Sequence, residues 1–367
     1  MTGFGVFSVD GGERRVGFRA GGEIRDLSGL GEIFRRPSLN ALLAQGRGAW
    51  EDTLGRALEA DVPRVPLAGA TVHMPFEVAD YVDFFSSLEH ATNAGLLFRP
   101  DAEPLQPNWR WLPVAYHGRA GTVVVSGTDV VRPRGEVMHP AADVPLYEPS
   151  RRLDIELELG FVVGVPSRHG RPVPVSDFAE HVFGVVLVND WSARDLQAWE
   201  SRPLGPFLAK SFQTSISGWV TPLALLEEHR VEAPLQEPPP LPHLAGGRDW
   251  ALDLELEVAL NGAVVSRGNA RTLYWTMPQQ LAHATSNGAS IRTGDLMASG
   301  TISGPDRGSE GSLLELTRNG AEPLRLPDGT ERTFLEDGDE VVLRARAGDL
   351  ELGEVRGRVV EPSGGAL

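Results

Sequence analysis

Short runs of alternating or unbroken apolar residues, parted by Gly- and Pro-rich turns, set the pattern of this chain. Near its start, "GVFSV", "RRVGFRA" and "GEIRDL" read as short strands, and a helical piece follows around "SLNALLAQG". The segment "ADVPRVPLAGATVHMP" has the turn and proline content of a linker. It divides a small β-rich unit, residues 1–74, from a larger domain, residues 75–367. Strand candidates dominate the second part: "AGTVVVSGTDVVRP", "LDIELELGFVVG", "VFGVVLVND", "GWVTPLALL", "LDLELEVALNGAVVS" and "GDEVVLRARA". Helices are expected chiefly over Asp190–Glu200 and Met277–Asn287, and the Pro-rich "VEAPLQEPPPLPHLAGG" reads as an inserted surface loop. The pattern predicts a β-dominated α+β fold.

Two of the strands are nearly the same acidic sequence. "LDIELELG" begins at Leu153 and "LDLELEVAL" at Leu252, each with three carboxylates at alternate positions and therefore on one face. The first continues into "GFVVGV", which is apolar on both faces: either its acidic face is solvated on a half-exposed strand, or its carboxylates enter a buried region and require a proton, a basic partner or a hard cation. Oxygen-only ligands suit Ca²⁺ or Mg²⁺. The second runs into a hairpin signalled by Asn261-Gly262, and its acidic face is expected to be solvated.

The net charge of −16 argues against a general affinity for nucleic acid or an anionic membrane. With no cysteine, the chain has no disulfide, thiolate nucleophile or zinc–thiolate site. No segment approaches 18 consecutive apolar residues, and the first residues lack a signal-peptide pattern, so a cytoplasmic location is expected.

Candidate chemistry gathers at a few places. The buried run Val182–Val188 ends at Asn189-Asp190, where Asp190 is expected to cap a helix carrying Arg194 and Gln197 on the same face. An acid, a cation and an amide at the end of a buried strand suit a metal ligand followed by donors for an oxyanion. Lys210 follows a Gly/Pro-shaped apolar approach, "RPLGPFLAK", where its ammonium would stabilise negative charge. "DYVDFFSSLEHATNAGLLFRP" offers Asp83, His90 and Arg99, and "ASGTISGPDRGSEGSLLELT" offers Thr301 and Glu315. A buried Glu that orients a His raises its basicity. No P-loop, Rossmann fingerprint, H-E-x-x-H or G-x-S-x-G elbow is present, which favours activated water over a serine nucleophile.

These stretches, together with "PNWRWLPVAYHGRAGTVVVSGT", "PLGPFLAKSFQTSIS" and "YWTMPQQLAHATSNGASIRTGDLMASGTISGP", resemble the fumarylacetoacetase family in order and at length, across Ala79–Leu316. The resemblance implies a small SH3-like N-terminal domain, a C-terminal β-sandwich roll and a homodimer. It implies hydrolysis of a carbon–carbon bond in a β-diketone acid, yielding fumarate and acetoacetate at the end of tyrosine breakdown. It further implies Asp83, Glu156, Glu158 and Asp190 as ligands of Ca²⁺ or Mg²⁺, with Lys210 and Thr214 beside a second, Mg²⁺-associated position. His90 with Glu315 would activate water, and Arg194, Gln197 and Lys210 would hold the oxyanion. Arg99, Tyr116, Gln197 and Thr301 would contact the substrate. Two positions depart from the family pattern: Phe85 and Ser201 stand where the family carries tyrosines on the substrate side. A buried substrate oxygen left without its partner costs about 1–3 kcal/mol, which brings a related acylpyruvate into view as an alternative substrate. An oxo-acid decarboxylase or isomerase of the wider superfamily is the other alternative, and it would not require the His90–Glu315 pair.

Overall fold

The computed structural model describes residues 2–140 and 142–362. The strand Val182–Asp190 is apolar on both faces because each face meets a core. Val185 and Leu187 belong to the larger core, with Leu157, Phe161, Leu256, Leu343 and Val355. Val186 and Val188 belong to a second core, with Phe4, Phe18, Leu43 and Trp50. Burial of each such side chain contributes about 1.5–3 kcal/mol.

This strand lies in the middle of the large mixed sheet, thirteen-stranded among the described residues. It pairs antiparallel with Leu157–Val163 on one side and with Thr214–Ile216 and Trp219–Pro222 on the other. Beyond Leu157–Val163 come Leu296–Ala298, Tyr81–Phe84 and Ala115–His117. A second sheet runs Ala263–Asn269, Glu255–Leu260, Glu340–Ala347, Leu350–Val360 and Val130–Val131, and the larger core lies between the two sheets. The chain is thus sheet-rich α+β. The strand Thr2–Val9 pairs with Trp219–Pro222 through Phe4↔Val220 and Gly5↔Trp219, so hydrogen bonding runs from the first 74 residues into the large sheet. A Cβ at Gly5 would lie 2.4 Å from the Gly218 carbonyl oxygen, which explains a glycine inside that strand.

Several local expectations change. Asp190 is the last residue of its strand and not a helix cap. The chain stays extended through Ser192-Ala193, paired with Leu153-Asp154, and the helix begins at Arg194 with Ala193 before it. Buried Trp191, whose indole N–H donates to Ser215 Oγ at 2.9 Å, fixes that extension. Two long helices, Arg47–Glu59 and Leu88–Phe98, lie beyond those expected. The Pro-rich segment is not a loose loop. Its Leu244 and Gln236 are buried, and Gln236 and Gln279 exchange amide hydrogen bonds of 2.9 Å in both directions. The turn at Asn261-Gly262 takes positive φ at both residues, as a two-residue hairpin of this twist requires.

Candidate active site

Four carboxylates converge from three strands of the large sheet, two of them adjacent and the third separated from that pair by Leu296–Ala298. Asp83 comes from Tyr81–Phe84, Glu156 and Glu158 from the start of Leu157–Val163 and the residue before it, and Asp190 from the end of Val182–Asp190. One oxygen from each lies within 4.8 Å of the others, and all four residues are buried. Alternation explains the central pair: Leu157 points into the core while Glu156 and Glu158 share the opposite face.

Burial, then the neighbouring Asp190 carboxylate, raises Asp83 well above its ordinary range. Burial followed by Asp83, Glu156 and Asp190 does the same to Glu158. Glu156 behaves oppositely. Burial alone would raise it, but Lys210 and Arg194 hold it far below the usual carboxylate range. Lys210 Nζ donates to Glu156 Oε2 at 2.5 Å and to Asp190 Oδ2 at 2.9 Å, and Arg194 Nη1 donates to Glu156 Oε1 at 2.7 Å. Thr214 Oγ1 donates to Asp190 Oδ1 at 2.9 Å. The Tyr116 hydroxyl lies 2.8 Å from both Asp83 Oδ2 and Asp190 Oδ2. A phenol has one proton to donate, so these two carboxyl oxygens share a single donor.

The donor set fits a hard divalent cation. It consists of oxygens alone, and Asp83 Oδ1 and Glu158 Oε1 are buried with no hydrogen-bond partner. Among the described residues, the cationic side chains hydrogen-bonded to these four carboxylates are Lys210 and Arg194, the latter shared with Asp154, leaving negative charge that a divalent ion would balance.

A second group stands across the same cleft. Helix Leu88–Phe98, capped by Ser87, carries His90 in its first turn. His90 Nδ1 is 2.6 Å from Glu315 Oε2. Glu315 also receives hydrogen bonds from Asn93 Nδ2 (2.9 Å), Ser303 Oγ (2.9 Å) and Ser312 Oγ (2.7 Å). Burial would raise this carboxyl, but His90, Asn93 and Ser312 hold it below its ordinary value. With Nδ1 engaged, Nε2 is the nitrogen that faces the cleft. The Phe85 ring packs edge-on against the imidazole, 5.2 Å between centroids.

The cleft, about 480 Å³, is lined by Asp83, His90, Arg99, Tyr116, Glu156, Arg194, Gln197, Lys210 and Thr301. Of the residues singled out in the sequence, Glu158, Asp190, Thr214 and Glu315 lie behind this surface, hydrogen-bonded or packed against its lining. Besides Asp83 Oδ1, three buried polar atoms of the lining residues have no partner: Arg194 Nη2, Thr301 Oγ1 and Arg99 Nε. Arg194 Nη1 also donates to Gln197 Oε1 at 3.1 Å, which turns the Gln197 amide so that its Nε2 points elsewhere. Arg99 Nη2 donates to the Pro104 carbonyl at 2.6 Å. Ser201, by contrast, turns back on its own helix, donating to the Gln197 carbonyl.

Sequence reasoning passed over Asn93, Ser303 and Ser312, which fix Glu315. Ser312 was legible, because "SLLE" is the S-x-x-E spacing in which a serine caps the segment bearing the Glu. Ser303 carried no such signal, since only the folded loop brings it to Glu315. The second acidic stretch forms no such site. Glu255 and Glu257 lie at the surface and pair with Arg346, Arg344 and Arg267.

Residues 81–360 match the model of the fumarylacetoacetate (FAA) hydrolase C-terminal family. The chain is 44% identical to the fumarylacetoacetase of Rattus norvegicus over 374 residues, covering 93% of this chain and 89% of that protein. It is 47% identical to the fumarylacetoacetase of Arabidopsis thaliana over 331 residues, covering 84% and 78%. Among solved structures, a fumarylacetoacetate hydrolase from Exiguobacterium antarcticum superposes with a TM-score of 0.61 at 18% identity, covering 98% of this chain and all of that one. A maleylpyruvate hydrolase from Sphingobium sp. SYK-6, solved with manganese(II) and pyruvate, superposes with a TM-score of 0.58 at 18% identity, covering 98% and 99%. At such identity these two structures speak for the fold.

Proposed function

This chain belongs to the fumarylacetoacetate hydrolase family, and from that membership we propose that it hydrolyses fumarylacetoacetate to fumarate and acetoacetate. The observation that carries the reading is the His90–Glu315 pair set across one cleft from a buried four-carboxylate cluster. A decarboxylase or isomerase would need the carboxylates but not this base.

Asp83, Glu156, Glu158 and Asp190 would hold the cation, Ca²⁺ or Mg²⁺, with Lys210 and Thr214 beside a second position near Asp190. When bound, such an ion supplies Lewis acidity toward the oxygens of a β-diketone. His90 Nε2 takes a proton from water while Glu315 holds the Nδ1–H tautomer, and the hydroxide equivalent adds to the carbonyl next to the scissile bond. Arg194 Nη2, Gln197 Nε2 and Lys210 Nζ donate to the oxygen on which charge develops. Collapse of the adduct breaks the carbon–carbon bond, and the leaving carbon takes up a proton. The Arg99 guanidinium suits a substrate carboxylate, and the Tyr116 and Thr301 hydroxyls suit its remaining oxygens. We read residues 1–74 as an SH3-like domain and 75–367 as the catalytic β-sandwich roll of a cytoplasmic homodimer.

The test is loss of fumarylacetoacetate absorbance with and without EDTA. Turnover that stops with EDTA and returns with Mg²⁺ is expected; none on this substrate or any acylpyruvate with Mg²⁺ present would sink the reading. Phe85 favours a second reading within it, a related acylpyruvate as the preferred substrate. If the family hydroxyl is what is missing, Phe85→Tyr raises kcat/KM on fumarylacetoacetate by about tenfold. An unchanged ratio would clear Phe85 of any part in substrate choice.

A further inference from the structure

We propose that Asp154 is a positioning residue that locks Arg194 to the segment bearing Glu315, and so aligns the oxyanion donor with the base. The role rests on the hydrolase reading, in which Arg194 acts as that donor.

Asp154 is the first acid of "LDIELELG" and has no exposed surface. It lies outside the four-carboxylate cluster, and its two oxygens are already filled. Oδ2 accepts from Arg194 Nε at 2.8 Å and from the Leu314 N–H at 2.9 Å. Oδ1 accepts from the Leu313 N–H and from its own neighbour Ile155, both at 2.7 Å. Four donors saturate a carboxylate, leaving no lone pair for a cation.

What these four donors connect gives the residue its role. Leu313 and Leu314 open the short helix Leu313–Leu316, in which Glu315 is the next residue. Arg194 opens the helix that carries Gln197. A guanidinium is planar, so fixing Nε on Asp154 and Nη1 on Glu156 and Gln197 sets the direction of the remaining nitrogen. That nitrogen, Nη2, is the buried partnerless donor of a cleft-lining residue. One carboxylate therefore anchors both the donor that meets the developing charge and the backbone that presents the base's partner. Displacement of either by a fraction of an ångström would weaken the transition state more than the bound substrate.

Asp154→Asn keeps the shape but places an amide N–H₂ against donors. The expected result is a fall in kcat of about ten- to hundredfold, with KM within about threefold of wild type. Mn²⁺ affinity by calorimetry should stay within about threefold, because the four cluster carboxylates are untouched. The decisive arm is a double-mutant cycle with Arg194→Lys: if Asp154 works through Arg194, the second substitution costs much less in the background of the first. Should the Asn variant not fold, Asp154→Glu, which keeps the charge and shifts it by one methylene, enters the same cycle. Additive losses, a kcat within twofold of wild type, or a joint collapse of kcat, Mn²⁺ affinity and melting cooperativity in both variants would overturn the proposal. Active wild type beside an equally active Asp154→Asn contradicts the positioning role alone and leaves the hydrolase reading standing.

Discussion

Glu158 and Glu257 hold the same place in two nearly identical acidic stretches, yet they meet opposite surroundings. Glu158 is fully buried beside Asp83 and Asp190, with one oxygen taking the Gly300 N–H at 3.1 Å and the other unpartnered. Glu257 faces outward, opposite Arg344 on one neighbouring strand and Arg267 on the other. Exposed pairs of this kind contribute about 0–1 kcal/mol. Glu257→Gln is therefore expected to leave cation affinity unchanged and to cost at most about 1 kcal/mol, whereas Glu158→Gln weakens the cation by about tenfold or more. Calorimetric titration of Mg²⁺ and thermal melts read both, and equal losses of affinity would refute the distinction. Titration gives a further expectation. Asp83 and Glu158 keep their protons above the ordinary values of 3.8 and 4.5, so the cation-free folded state binds more protons there than the unfolded chain. Its stability then falls as pH rises above those values. Glu156 and Glu315, held low, add stability that is present above 4.5 and lost as pH falls below it. Added Mg²⁺ should raise Tm more at pH 8 than at pH 5, and a pH-independent increment would contradict the shifts. The two acidic stretches were separable from their continuations, an apolar run after one and a hairpin after the other. That Asp154 would be consumed by backbone donors was not legible, because Leu313 and Leu314 lie 159 and 160 positions away.

At the scale of elements, the site depends on one close approach. Gly300, just after the strand Leu296–Ala298, takes φ +76°, and a Cβ there would lie 2.2 Å from the Phe84 carbonyl oxygen. The same residue donates its N–H to Glu158. Gly300→Ala is expected to lower stability by more than about 1 kcal/mol and to weaken cation binding, through both the positive φ and the contact. A variant that melts and binds Mg²⁺ as wild type does would show that the strand end yields without cost. The buried strand Val182–Asp190 was legible as an apolar run, since cores cover both its faces. The helix Leu88–Phe98 was not. Its buried residues, His90, Ala91, Ala94 and Gly95, are small or polar, so it shows no apolar stripe of helical period. The helix expected from Asp190 began four residues late, because Leu153-Asp154 pairs with Ser192-Ala193 and keeps the chain extended.

Across the whole molecule, the candidate site is an assembly of distant segments. Asp83, Glu156 with Glu158, and Asp190 meet because their strands are adjacent or nearly so in one sheet, and His90 meets Glu315 across 225 positions. Composition and periodicity hold no trace of such meetings; the long family stretches did, by preserving each segment around its reactive residue. In the proposed mechanism His90, held by Glu315, is the base of a cation-dependent hydrolysis. The kcat of His90→Ala on fumarylacetoacetate in saturating Mg²⁺, with Mg²⁺ affinity measured on the same protein, tests it most directly. The expected result is a loss of about a hundredfold or more with affinity unchanged. A kcat within tenfold of wild type would contradict it.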